Sequence, residues 1–334
     1  MHRTFGLRQI GLAATAAVAV GLAMTGSAGA TPPAGSSSVE SDTLTVIGTS
    51  GADQLALRLA PGDPNTLQVD FGDDGSVDQS FSRSTFSRID AFLLSGADRF
   101  RVDQSNGVFL DEAVTVDTGR GDDTVAGGDG NELVLSGSGN DTVDGNRGVD
   151  TAVLGSGQDI FIWDPGDGSD AVEGGSGSDT LDFNGANLNE VMSLSANGTS
   201  SVFRRDLGGG ITVDMQNVEE LDLAALGGAD SITVDDLSAT GFRQANIDLS
   251  LQGGGDGQAD VVTVNGTEVA DRITVQANGA QVDVDGLTTN SRLTGSETID
   301  RPQVNTLGGN DAVDVGADAA ALIGIAVDLG SGQG

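Results

Sequence analysis

The sequence predicts an all-β chain, a right-handed parallel β-roll or β-helix flanked by solenoid-like repeats with longer coils. Three observations carry that expectation. A nine-residue unit recurs seven times within residues 118–183, and a fixed short period of this kind marks a solenoid. A second, longer repeat stands on both sides of it. No stretch shows sustained helical periodicity with caps, and residues 188–191 and 317–325 are the only helix candidates.

The nonapeptide block is regular at four positions. Its units end in Asp123, Glu132, Asp141, Asp150, Asp159, Asp170 and Asp179, nine residues apart except for one step of eleven after Asp159. Two residues before these acids stand Gly121, Gly130, Gly139, Gly148, Gly157, Gly168 and Gly177. Two further back come Gly119, Gly128, Gly137, Gly155, Gly166 and Gly175, with Asn146 as the exception. Two residues after each acid lies Val125, Val134, Val143, Ala152, Phe161, Val172 or Leu181. Alternate glycines suit turn backbone at positive φ. The three residues after each acid make a minimal strand with its middle side chain inward.

Two units complete one flattened coil, so residues 18 apart stack at roughly 4.8 Å. One edge then carries Asp123, Asp141, Asp159 and Asp179, and the other carries Glu132, Asp150 and Asp170. Carboxylates stacked this closely repel by about 1 kcal/mol per pair in water, and by ~3–4 kcal/mol beside a low-dielectric surface. A hard cation between coils offsets that repulsion. Calcium suits the position because it accepts six to eight oxygens in flexible geometry, whereas magnesium resists losing water.

The blocks GGDGNELVL, GSGNDTVDG, GSGQDIFIW and GGSGSDTLDF resemble the hemolysin-type (RTX) calcium-binding nonapeptide repeat. The resemblance implies that the aspartate closing each turn binds Ca2+ together with turn carbonyls and shares the ion with the next coil. It assigns Asp123, Asp141, Asp159 and Asp179 to one edge and Asp150 and Asp170 to the other, with Asp129 and Asp167 adding mid-turn oxygen. Glu132, Asn146 and the in-turn Arg120 and Arg147 depart from the pattern, and their sites are expected to be weak or empty.

The longer repeat keeps the same turn-strand signature. Ile89-Asp90 precedes Gly96-Ala97-Asp98, Leu221-Asp222 precedes Gly228-Ala229-Asp230 at the same spacing, and Ile299-Asp300 precedes Gly309-Asn310-Asp311. Gly48-Thr49 before Asp53 likewise matches Gly266-Thr267 before Asp271. This organisation gives an N-terminal β unit at 44–112, the nonapeptide roll at 113–183 and a C-terminal β unit at 184–334. The end of the chain copies Leu154-Gly155-Ser156-Gly157-Gln158 as Leu329-Gly330-Ser331-Gly332-Gln333 and stops where the aspartate should follow, so the C-terminal unit reads as truncated.

Residues 1–30 read as an export signal, with Arg3 and Arg8, an apolar stretch over residues 10–24 and a small-residue cleavage site at Ala28-Gly29-Ala30. Residues 31–43 are expected to be a flexible leader. The apolar stretch is too short for a lasting membrane anchor. Loss of the signal removes His2, the only histidine, and there is no cysteine, lysine or tyrosine. Imidazole- and thiol-based catalysis, zinc sites built on His or Cys, and haem ligation are thereby excluded. Aspartate outnumbers glutamate 41 to 9, and the formal net charge is −35. Nucleic acid is not an expected partner, because no basic patch exists to neutralise phosphates.

The functional expectation is therefore an exported, non-enzymatic β-solenoid that folds on binding several Ca2+ ions outside the cell. The alternatives are a cell-surface adhesin or matrix protein contacting glycans and, further off, a calcium-dependent polysaccharide lyase using Arg204 and Arg205. Adjacent strand residues face opposite ways, so that arginine pair reads more simply as surface. Trp163 reads as an apolar plug between coils, with an aromatic sugar platform as the alternative.

Overall fold

A computed structural model describes residues 35–207 and 209–330. The expected signal peptide and the last residues of the expected truncated repeat lie outside them. Two sheets of fourteen strands each run the length of the described chain, across the expected unit boundaries near residues 113 and 184. Successive short strands alternate between the sheets, so each coil contributes one strand to either side.

Within the nonapeptide block the register follows the repeat. Thr142–Asp144 pairs in parallel with Thr124–Ala126 on one side and Ile160–Trp163 on the other, setting Val125, Val143 and Phe161 in one column. In the opposite sheet Glu132–Leu135 lies between Ala113–Asp117 and Thr151–Gly157, aligning Val116, Val134 and Ala152. All six side chains are buried. The period-two alternation of these strands therefore produces the core directly.

The flanking coils are longer than those of the roll, as expected: the step along the ladder is 25 residues from Asp98 to Asp123 and 30 from Asp230 to Asp260, against 18 from Asp123 to Asp141. Three of them also carry a feature the sequence reading did not give, a three-stranded antiparallel meander standing in place of one strand. The meanders comprise Gln54–Ala60, Asp63–Phe71 and Gln79–Ser82; Val191–Asn197, Ser200–Arg205 and Ile211–Gln216; and Arg272–Asn278, Gln281–Asp285 and Asn290–Thr294. The first and last strands of the second meander continue the parallel ladder, on Ser231–Val234 and Asp170–Gly177 respectively. Two-residue turns open the second and third meanders, Gly198-Thr199 between paired Asn197 and Ser200 and Gly279-Ala280 between paired Asn278 and Gln281, with the glycines at φ +69° and +67°. Glycine at positive φ in the first central position suits a type II′ hairpin turn.

The expected leader is structured over its second half. Ser36–Glu40 pairs antiparallel with Thr43–Ile47, because Ser41 and Asp42 both adopt positive φ (49° and 69°) and close a two-residue turn. Of the helix candidates, residues 188–191 lead into a strand, while Ala317–Leu322 is helical and buries Ala319. Trp163 is fully buried. Its ring stacks on Phe183 at 4.2 Å with an interplanar angle of 1°, and its indole N–H donates to Gly168 O at 2.9 Å. With no exposed face, the ring is a plug and cannot be a sugar platform.

Candidate metal centre

The turns between strands stack as regularly as the strands. Ser95, Arg120, Ser138 and Ser156 form successive parallel bridges at the turn tips. Each coil's closing acid is tied to the next by one bond from backbone to side chain. Asp123 N–H donates to Asp141 Oδ1 at 2.8 Å, Asp141 N–H to Asp159 Oδ1 at 2.8 Å, and Asp159 N–H to Asp179 Oδ1 at 3.0 Å. On the opposite edge Glu132 N–H donates to Asp150 Oδ1 at 2.7 Å, and Asp150 N–H to Asp170 Oδ1 at 2.8 Å. The two edges deduced from residue spacing are the two ladders of the fold.

These bonds consume only one carboxylate oxygen each. Oδ2 of Asp123, Asp141, Asp150, Asp159 and Asp179 is buried without any hydrogen-bond partner, although each residue is at most 1 % exposed. A buried oxygen without a partner costs about 1–3 kcal/mol, more when charged, so four along one edge and one on the other call for a donor or cation. Burial is the main cause that raises the Asp141 carboxyl to about 7, Asp150 to about 8 and both Asp170 and Asp179 to about 6, with neighbouring acids adding repulsion. Burial also raises Asp123, Asp159 and Glu132.

Glycine makes room for this arrangement. A Cβ on Gly139 would lie 1.8 Å from Gly121 O, and one on Gly157 would lie 1.7 Å from Gly139 O, so turn carbonyls occupy the space a side chain would take. A Cβ on Gly145 would sit 2.5 Å from the free oxygen of Asp150, and one on Gly174 would sit 2.7 Å from that of Asp179. Among the described residues no group of three or more acidic or imidazole side chains converges on a point. Each site therefore offers one carboxylate per coil plus backbone carbonyls. This all-oxygen donor set fits calcium rather than a soft metal.

The remaining predicted positions behave differently. Asp129 stands outside the ladders, 3.7 Å from the Arg147 guanidinium. Asp167 Oδ2 accepts the Asp164 N–H at 2.6 Å, and burial raises its carboxyl to about 6. The longer Glu132 side chain folds back onto its own turn, taking the Gly128 N–H at 3.0 Å. Two ladders that the sequence reading did not assign to metal continue beyond the block. One runs from Asp53 through Asp98 to Asp123, and the other runs from Glu190 through Asp230 and Asp260 to Asp300. The Gly-x-Asp signature marks Asp53, Asp98 and Asp230, whereas Glu190, Asp260 and Asp300 have no glycine two residues earlier and no such signal.

Residues 115–143, 126–161 and 166–187 match the model of the RTX calcium-binding nonapeptide repeat, in four copies. The block is thus an RTX repeat segment, and the protein is a β-solenoid carrying calcium-binding repeats. No curated protein matches the chain. Among solved structures, the extracellular lipase LipA from Serratia marcescens is similar over 60 % of this chain and 40 % of the lipase, at 14 % identity and a TM-score of 0.21. The chain thus spans less than half of that lipase, and a likeness this slight says nothing of activity.

Proposed function

We propose that the protein is an exported, non-enzymatic scaffold whose roll closes when calcium occupies its turns outside the cell. The observation that carries this reading is the series of five buried, partnerless Oδ2 atoms at Asp123, Asp141, Asp150, Asp159 and Asp179. Without cations these groups repel one another and lack partners, which favours a loose chain where calcium is scarce. Millimolar calcium outside the cell compensates them, with affinities of about 10⁻⁴–10⁻³ M as in other extracellular modules, and binding energy becomes folding energy. Export is supported by the signal-like N-terminus.

The non-enzymatic part rests on a mature chain without histidine, cysteine, lysine or tyrosine, which leaves few general bases. The lyase alternative is weakened further because Arg205 is buried against Glu190 and lies over the Trp163 ring. Circular dichroism of the full chain in EDTA and in millimolar calcium tests the proposal. Calcium should increase the strand signal and raise the melting temperature of a weaker calcium-free fold, and a spectrum and melt indifferent to the metal would refute it.

A further inference from the structure

Asp98 precedes the matched segment, which begins at residue 115, yet it is in the same state as the five repeat aspartates. It is 2 % exposed. Its Oδ1 accepts the Asp53 N–H at 2.7 Å, its own N–H donates to Asp123 Oδ1 at 2.7 Å, and its Oδ2 is buried without a partner.

The turn leading to Asp98 repeats the geometry of the next one. Leu94 and Gly96 take φ of 79° and 143°, where Gly119 and Gly121 take 90° and 131°. Gly96 N–H donates to Arg120 O at 2.7 Å and Arg120 N–H to Leu94 O at 3.2 Å. One coil on, Gly121 N–H donates to Ser138 O at 2.7 Å and Ser138 N–H to Gly119 O at 3.0 Å. A Cβ on Gly121 would lie 1.3 Å from Gly96 O, so the carbonyl track also continues. Left-handed backbone costs a residue such as leucine about 1–2 kcal/mol. Leu94 is 46 % exposed, so side-chain packing does not account for it.

We propose that the calcium column extends one rung beyond the recognised repeat, with Asp98 Oδ2 and the carbonyls of residues 94–98 holding a further Ca2+ against the turn of residues 119–123. The proposal rests on the calcium reading of the repeat itself.

The column stops at the following rung for a visible reason. Asp53 receives the Thr49 N–H on Oδ2 at 2.6 Å and the Thr49 hydroxyl on Oδ1 at 3.0 Å. Thr267 closes Asp271 in the same way, at 2.8 and 2.9 Å. Four residues before each partnerless acid the backbone is left-handed, at Leu94, Gly119, Gly137, Asn146, Gly155 and Gly175. Thr49 and Thr267 are not left-handed, and their N–H groups turn onto the carboxylate that would otherwise face a cation.

Equilibrium dialysis of the full chain against calcium alone, counting ions per chain, tests this. Asp98→Asn keeps the Oδ1 acceptor and removes the free oxygen, so it should bind one ion fewer than the unaltered chain. Asp53→Asn should bind the unaltered number. Melting of Asp98→Asn in EDTA should be no lower than that of the unaltered chain, which a purely structural role would not allow. A full count in Asp98→Asn alongside a reduced count in Asp141→Asn overturns the Asp98 site and leaves the repeat reading standing. Absence of calcium binding by the unaltered chain overturns both. Should Asp98→Asn fail to fold, anomalous scattering from crystals of the unaltered chain in calcium decides, with a peak beside Asp98 Oδ2 supporting the site and peaks only from Asp123 onward refuting it.

Discussion

Replacing Asp141 by Asn retains the Oδ1 that accepts the Asp123 N–H and exchanges the partnerless oxygen for an amide. The two metal conditions should then respond in opposite directions. In EDTA the variant sheds a buried repulsive charge and should melt higher than the unaltered chain. In millimolar calcium it loses a ligand and should be less stable by about 1–3 kcal/mol. Thermal melts under both conditions check this, and a loss of equal size in both would show the acid to be merely structural. Gly139→Ala tests the turn instead of the acid. Its Cβ would meet Gly121 O at 1.8 Å on a backbone at φ +132°, so urea denaturation in calcium should show a loss of at least ~1–3 kcal/mol.

At the scale of elements, the second meander joins the regular roll to the C-terminal coils through a packed polar-aromatic cluster. Its middle strand, Ser200–Arg205, carries Phe203 onto Phe183 at 4.4 Å and Arg205 to within 5.3 Å of the Trp163 ring centre. Glu190, whose N–H donates to Asp230 Oδ1, accepts from both Arg205 and the Ala186 N–H. An internal guanidinium thus supplies at this rung the charge that calcium supplies in the roll. Arg205→Ala should cost about 3–5 kcal/mol, because a buried acid loses its counter-charge. Arg204 is exposed, and Arg204→Ala should stay within about 0.5 kcal/mol of the unaltered chain. Urea denaturation separates the two. Equal effects would contradict the buried-pair account.

For the whole molecule, the raised carboxyls set the direction of pH dependence. A folded-state pKa above the unfolded value stabilises the fold below the ordinary carboxylate range, and that stability is lost as pH rises through the folded value. With Asp170 and Asp179 near 6, Asp141 near 7 and Asp150 near 8, the calcium-free roll should weaken steadily between pH 5 and pH 8. The net charge of −35 acts in the same direction, since self-repulsion grows as acids ionise. Calcium reverses the trend, because its ligands must be deprotonated. Melting temperatures in EDTA should therefore fall from pH 5 to pH 8, while calcium affinity rises over the same range. A calcium-free melt that climbs with pH would contradict this.

The period of nine, the glycine pairs and the closing acids determined the β-roll and the membership of both ladder edges, because stacking in a solenoid follows directly from sequence spacing. The glycine turns at Gly198-Thr199 and Gly279-Ala280 are local hairpin signals, but a repeat period alone does not distinguish a coil lengthened by a loop from one lengthened by a meander. Other features had no local signature. Only the folded chain shows that Arg205 neutralises Glu190, that Thr49 satisfies Asp53 and that Asp98 is left with a free oxygen. Whether a carboxylate's second oxygen finds a partner depends on how the backbone turns four residues earlier, as at Thr49, and on which side chains the packed coil brings up, as Arg205 to Glu190. Those are properties of the packed coil, not of the repeat that specifies it.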